Sequence, residues 1–387
     1  MSIIRALLLT CALVATGLVA APAPPATAGP AVNVIVTLAP SADPGSASRA
    51  LLGSSGEVSH IYRHAINGFA ASVPEALLSV LRGDARVRRI EIDRGVRASD
   101  TQTPTPSWGI DRIDQRDLPL NNSYTYGPTG SGVNAYVVDT GILTTHPDFG
   151  GRASHGTDTV DGDANATDCN GHGTHVAGTV GGSAYGVAKS ARLIAVRVLG
   201  CDGSGSTAGV IAGLDWVVAH HQAGVPAVAN MSLGGAASLA LDDAVRRVIA
   251  DGVTMAVAAG NENTDACRKS PARTAQALTV AASDRNDARA SFSNRGSCVD
   301  LFAPGVDITS AWLANGSQTI SGTSMAAPHV AGVAAQYLTT HPGASPSEVS
   351  AAVLARTTKD KISGTDRTCV LILCSVATPN NDLLVSY

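Results

Sequence analysis

Aromatic residues make up 4% of the 387-residue chain and lysine is scarce, while 44% of the residues are apolar. The core must therefore be built from aliphatic and small side chains, and the length suffices for at least one large core. Beyond residue 30 no further run of about 20 apolar residues occurs, so no second segment is expected to cross a membrane as a helix. Cys-x-x-Cys is absent, which leaves a structural zinc site without its usual starting pair. So is His-Glu-x-x-His, which excludes a zincin. Gly181 and Gly186 are spaced as in a phosphate-binding loop, but Val187 occupies the position that needs lysine. Ser324, in Gly322, Thr323, Ser324, Met325 and Ala326, lacks the second glycine of a nucleophile elbow, which speaks against an α/β-hydrolase esterase. There is also no basic surplus where it would count: residues 1–99 hold nine Arg/Lys against six Asp/Glu, leaving 18 against 25 for residues 100–387. A chain whose larger part is acidic carries no footprint for nucleic acid or an anionic membrane.

Three segments differ in texture. Arg5 precedes an apolar run over 6–20 that breaks at Pro22, Pro24 and Pro25, and Ala26, Thr27 and Ala28 form a small-residue cleavage pattern. This predicts a signal peptide over 1–28 and a secreted product. Six cysteines remain after it, an even number that favours disulfides but allows 15 pairings. Residues 29–100 read as strand 31–38, helix 44–52, strands 57–62 and 69–73, helix 74–81 and strand 87–93, the ferredoxin-like α+β order. The polar, Thr/Pro-rich stretch 95–106 suits an exposed linker open to cleavage.

Residues 101–387 alternate continuous apolar strands (133–138, 193–199, 227–231, 253–258, 278–281 and 306–310) with small-residue helices (206–220, 239–250 and 324–339). This predicts an α/β fold, a doubly wound and mostly parallel sheet with helices on both faces. Such sheets hold their sites beyond the carboxyl ends of the strands.

Four stretches carry candidate chemistry. Asp139 closes the strand 133–138, where a buried carboxylate needs a compensating partner unless it merely caps a turn. His172 and His175 lie on one helical face in Asn170, Gly171, His172, Gly173, Thr174 and His175, which raises a metal pair as a rival to a histidine base. The glycines beside His172 permit close backbone approach, and His175 reads as packing or support. Asn261 follows the strand 253–258 and can donate to a developing oxyanion or form a turn. Ser324 opens a helical run, as a nucleophile or a helix cap.

In the order Asp, His, Asn, Ser, these stretches resemble the subtilisin-like serine peptidases, nearest to the proteinase K branch and its aqualysin-like bacterial members. The similarity runs over residues 108–379, and the stretch from Trp108 to Leu120 matches as well. It implies a secreted endopeptidase in which Asp139 supports His172, His172 activates Ser324, and Asn261 with the Ser324 N–H holds the oxyanion, no cofactor taking part. It implies peptide substrates laid between Gly203, Ser204, Gly205 and Ser232, Leu233, Gly234, with Ala258, Ala259 and Gly260 as the wall of an apolar P1 pocket of little charge.

The same resemblance implies the disulfides Cys169–Cys201, Cys267–Cys298 and Cys369–Cys374. It implies structural calcium at Asp300 with Ala275 and Ala277, and at Asp111, Asp114, Gln115, Asn121 and Ser123; the loop 158–163 is a candidate for a third ion. Residues 29–100 match the inhibitory propeptide, whose positive surplus complements an acidic catalytic domain, with autocleavage expected between Ala98 and Thr101. A monomer is expected. Without a long extension after Tyr387, export is expected to rest on the signal. The competing function is a catalytically silent binding protein on the same fold, and it is disfavoured because all four reactive positions are present.

Overall fold

The computed structural model describes residues 30–93, 100–366 and 377–387, with backbone pairing alone for 369–370 and 373–374. The predicted signal at 1–28, and Ala98 and Ser99 of the predicted cleavage window, lie outside the described residues. The chain divides into two compact units, Met1–Arg97 and Ala98–Tyr387. Among the described residues no helix is long and apolar enough to cross a membrane.

The first unit runs β1 (Ala31–Leu38), α1 (Pro44–Leu52), β2 (Glu57–Tyr62), β3 (Gly68–Pro74), α2 (Leu77–Gly83) and β4 (Val87–Ile92). Its sheet order is β2-β3-β1-β4 with antiparallel neighbours, the split βαβ topology. Local rules set its pieces. Asp43 accepts from Ser46 N at 2.8 Å and Pro44 occupies the first turn of α1, two helix-start signals together. Val34, Val36 and Leu38 alternate inward from β1 onto Leu52, Phe69, Val73 and Leu81.

The second unit begins with β5 (Asp100–Gln102), α3 (Trp108–Ile113), β6 (Tyr124–Tyr126), β7 (Asn134–Asp139), β8 (Ala153–Asp158), α4 (His172–Gly181) and β9 (Arg192–Arg197). It continues with α5 (Thr207–His220), β10 (Ala227–Met231), β11 (Gly235–Ala236), α6 (Leu239–Ala250), β12 (Val253–Ala258), β13 (Lys269–Ser270), β14 (Leu278–Ser283) and β15 (Leu301–Pro304). It closes with β16 (Ile308–Ala311), β17 (Ser317–Ile320), α7 (Thr323–Thr340), α8 (Pro346–Arg356), β18 (Thr358–Lys359), β19 (Cys369–Val370), β20 (Leu373–Cys374) and β21 (Asp382–Leu383).

Nine strands form one sheet in the order β18-β21-β15-β14-β12-β10-β7-β9-β8, parallel except at the β18–β21 edge. From β7 the chain goes out to the edge strand β8, comes back through β9 beside β7, and then crosses to β10, β12 and β14 on the other side. That reversal puts the switch point, where ligands enter such sheets, at the end of β7. Both faces are buried, which is why the strands read as unbroken apolar runs. Ala135 and Val137 point into the core shared with α4 and α7, whereas Tyr136 and Val138 point into the core shared with α5 and α6.

The expected strand at 306–310 is corrected. The sheet strand is Leu301–Pro304, and Ile308–Ala311 instead pairs antiparallel with β17. Asp307 sits at φ 52°, a left-handed conformation that breaks an extended run between the two.

Disulfides join Cys169 to Cys201 and Cys267 to Cys298, across sequence separations of 32 and 31. On the chain-entropy model each stabilises by about 3 to 4.7 kcal/mol. Cys369 and Cys374 are backbone partners in the β19–β20 ladder.

Candidate active site

The four motif stretches converge beyond the carboxyl ends of the strands. Asp139 is the last residue of β7, His172 the first of α4 and Ser324 the second of α7, while Asn261 follows β12 by three positions. His172, Asn261 and Ser324 line one cleft of 520 Å³, together with Gly203, Ser204, Gly205, Ser232, Leu233 and Gly234. A second pocket of 140 Å³ opens beside it, walled by Ala258, Ala259 and Gly260 and again reaching Asn261 and Ser324. Every predicted substrate segment therefore borders the predicted chemistry.

His172 donates from Nδ1 to Oδ1 of Asp139 at 2.7 Å, and the same oxygen accepts from Thr140 N at 2.8 Å. Desolvation lowers the basicity of His172, but the charge of Asp139, its hydrogen bond and the more distant Asp168 outweigh it and hold the imidazole above its ordinary value. The glycines beside the histidine make the approach possible. Gly171 adopts φ 107°, and a Cβ there would lie 2.5 Å from the Trp312 ring; one on Gly173 would lie 2.1 Å from the carbonyl of Gly141.

Ser324 Oγ donates to the carbonyl of Ser232 at 3.1 Å, and Ser232 Oγ donates to the Ser324 carbonyl at 2.8 Å. The second contact answers a deficit. Pro328 lies inside α7 and has no N–H, so the Ser324 carbonyl loses its donor from one turn on, and Ser232 replaces it. Asn261 accepts through Oδ1 from the N–H and hydroxyl of Thr323, at 2.8 and 2.9 Å. With its oxygen held there, the amide's Nδ2 donors are left for the cleft that Ser324 shares.

The paired-histidine metal reading does not fit these partners. His172 commits Nδ1 to Asp139, and His175 Nε2 donates to the carbonyls of Ile308 and Gln318 at 2.9 and 3.2 Å. Burial lowers His175 to about 4, so it is a neutral packing group.

The sequence reading missed several groups. The expectation of a P1 pocket with little charge is corrected: Glu262 and Lys269 both line it, paired at 2.9 Å, and Glu262 also accepts from Asn294 at 2.8 Å. Asp168 belongs to the acidic cluster before Cys169, and its place beside the histidine is not evident from that cluster. It is buried behind His172 and accepts from Thr140, Asn170, Gly171 and Thr174. An acidic residue just ahead of a glycine-flanked helix start is the signal that could have found it.

The proposed cation positions differ in how well they fit. Burial raises Asp300 to about 6; its Oδ2 accepts from Thr279 N at 2.8 Å, two residues after Ala277 in sequence, and no basic side chain pairs with it among the described residues. Burial likewise raises Asp114 to about 6, aided by the charge of Asp111, and its Oδ1 is buried without a partner. Two crowded carboxylates and an unpaired oxygen suit a hard cation. Asn121 Oδ1 accepts from Ser123 N at 2.9 Å in the same loop, and Gln115 Nε2 donates to the carbonyls of Asp117 and Pro119 at 2.7 and 2.8 Å, which leaves its Oε1 for a cation. The loop 158–163 fits poorly, because Arg197 already bonds the carboxylates of Asp158 and Asp161.

Comparison with known proteins places the chain in a family. The model of the subtilase family, peptidase S8, matches residues 130–370. An extracellular serine proteinase of Thermus sp. is 56% identical over 312 residues, 80% of this chain and 75% of that protein. Alkaline serine exoprotease A of Vibrio alginolyticus is 54% identical over 314 residues, again 80% of this chain, which spans only 58% of that relative's length. A crystal structure of a cold-adapted subtilisin-like serine proteinase superposes with a TM-score of 0.69 at 53% identity, over 74% of this chain and 99% of that one.

Proposed function

The chain belongs to the subtilase family of serine peptidases, and from that premise we propose that it is a secreted endopeptidase, made as a precursor, whose chemistry rests on Asp139, His172, Ser324 and Asn261. The observation that carries this reading is the 2.7 Å bond between His172 and a fully buried Asp139, at the mouth of a cleft that His172 shares with Ser324 and Asn261.

Ser324 Oγ turns from the Ser232 carbonyl toward His172, gives up its proton to Nε2 and attacks the peptide carbonyl. Asp139 keeps Nδ1 protonated, so that Nε2 is the basic nitrogen, and balances the imidazolium that forms. The oxyanion is received by Asn261 Nδ2 and the Ser324 N–H. His172 then protonates the leaving amine, and a water activated by the same nitrogen hydrolyses the acyl-enzyme. No cofactor enters these steps. The open segments 203–205 and 232–234 receive the peptide as an added strand, with the P1 side chain in the pocket walled by Ala258, Ala259 and Gly260.

Calcium has a structural part in this reading: Asp300 with the Ala275 and Ala277 carbonyls, and Asp111, Asp114, Gln115, Asn121 and Ser123, would hold it and offset buried negative charge. Residues 29–100 act as an intramolecular inhibitor released by cleavage between Ala98 and Thr101. The mature enzyme acts on polypeptides as a monomer.

Mapping a fluorophosphonate label by mass spectrometry tests the assignment. Label on Ser324 with loss of casein hydrolysis is expected; an active protein labelled at another residue would overturn it.

A further inference from the structure

Asp168 is 4% exposed and accepts five hydrogen bonds. Oδ1 receives the Thr140 hydroxyl and the amides of Asn170 and Gly171, each at 2.9 Å; Oδ2 receives the Thr174 amide at 2.9 Å and its hydroxyl at 2.6 Å. Thr140 follows Asp139 directly, and its hydroxyl also accepts from Gly173 N at 2.9 Å. Gly171 and Gly173 flank His172. One carboxylate thus ties the end of the strand that carries the acid to the start of the helix that carries the base. Only an ionised carboxylate can accept from so many converging donors, because an amide in its place would turn two donors of its own toward them.

We propose that Asp168 is a positioning residue for the reaction, fixing the Asp139–His172 contact while touching neither substrate nor the reacting atoms. This rests on the assignment of Asp139, His172 and Ser324 given above. The ionisable groups facing the imidazole are Asp139, Asp168 and His175. His175 is neutral, so the two carboxylates alone set the field that raises His172. Removing the charge of Asp168 therefore acts on rate in two ways. It loosens the geometry, and it lets His172 lose its proton at lower pH.

The test compares secreted, processed wild type with Asp168→Asn, Thr174→Val, Thr174→Ser and Ser324→Ala, the last cleaved in trans by wild type and purified from it, reading kcat and KM on a peptide amide across the titration of the histidine, with thermal melts alongside. Asp168→Asn is expected to lose on the order of 10²-fold in kcat with KM little changed, the scale of a small misplacement of reacting groups. Its acid limb in kcat/KM is expected to move to lower pH. Thr174→Val should fall in kcat in the same sense, and Thr174→Ser, which keeps the hydroxyl, should regain most of it. An Asp168→Asn protein that melts earlier but keeps the wild-type kcat and acid limb overturns the proposal. Should that variant not be secreted, the Thr174 pair decides, and equal kcat for valine and serine overturns it. Activity in Ser324→Ala would instead remove the underlying assignment.

Discussion

His172 and Asp139 meet at 2.7 Å through Nδ1 and Oδ1, and the other carboxylate oxygen of Asp139 is buried with no hydrogen-bond partner among the described residues. A buried charge so sparingly paired is costly unless a cation forms beside it. In the proposed reaction the imidazolium is that cation. Asp139→Asn removes both the charge and control of the tautomer, and kcat is expected to fall about 10⁴-fold. The active form of His172 is unprotonated at Nε2, and its value is raised, so wild-type kcat/KM should be lost as pH falls through a midpoint above the usual 6.5 or so. In Asp139→Asn that midpoint should drop. An unchanged midpoint would count against the pairing as the source of the shift.

Asn261 offers its amide N–H groups to the cleft because Thr323 holds its oxygen from two donors. Asn261→Leu is expected to lower kcat by about 10²–10³ with little change in KM, the cost found for removing one oxyanion donor in subtilisin. Steady-state kinetics on a peptide amide checks it, and a loss confined to KM would assign Asn261 to substrate binding instead.

Much of this was legible in sequence because strand ends and helix starts are local patterns: Asp139, His172, Asn261 and Ser324 each stand where a continuous run stops or begins. What escaped depends on distant partners. β8, with Ala153, Ser154, His155, Gly156, Thr157 and Asp158, has no apolar run and becomes a strand only as the sheet's edge beside β9. Leu301–Pro304 is too short to announce itself, and the apolar residues after it invited the wrong register. Asp168 draws its donors mainly from backbone amides of a turn, so only its place ahead of the glycine-flanked helix start marks it in sequence. Lys269 reaches Glu262 from β13, which pairs antiparallel with β11 beside the pocket.

Two neutral histidines make the fold acid-sensitive. Burial lowers both His175 and His329 to about 4, and in the unfolded chain each titrates near its ordinary 6.5 or so. Between these values the unfolded state binds more protons, so the stability they contribute is present above the unfolded value and is lost as pH falls toward 4. The expected loss is up to about 3 kcal/mol for each. Urea unfolding against pH at fixed calcium, in a Ser324→Ala background that prevents autolysis, measures it. His329→Gln should flatten the slope, and an identical slope would refute the attribution.

Calcium removal should act on stability before activity. Chelation is expected to lower the thermal midpoint while Ser324 still takes a fluorophosphonate label at once after treatment, and Asp300→Asn should remove part of the calcium response. A midpoint indifferent to chelator would show that Asp300 and Asp114 carry their charge without an ion.

The central claim is that Ser324 is the nucleophile, and it is tested most directly by kcat on a peptide amide for purified Ser324→Ala, first cleaved in trans by wild type and then freed of both residues 29–100 and the wild-type enzyme. The expected result is a folded protein slower by about 2 × 10⁶, as for the corresponding serine of subtilisin. Appreciable peptidase activity in a clean preparation of that variant would contradict it.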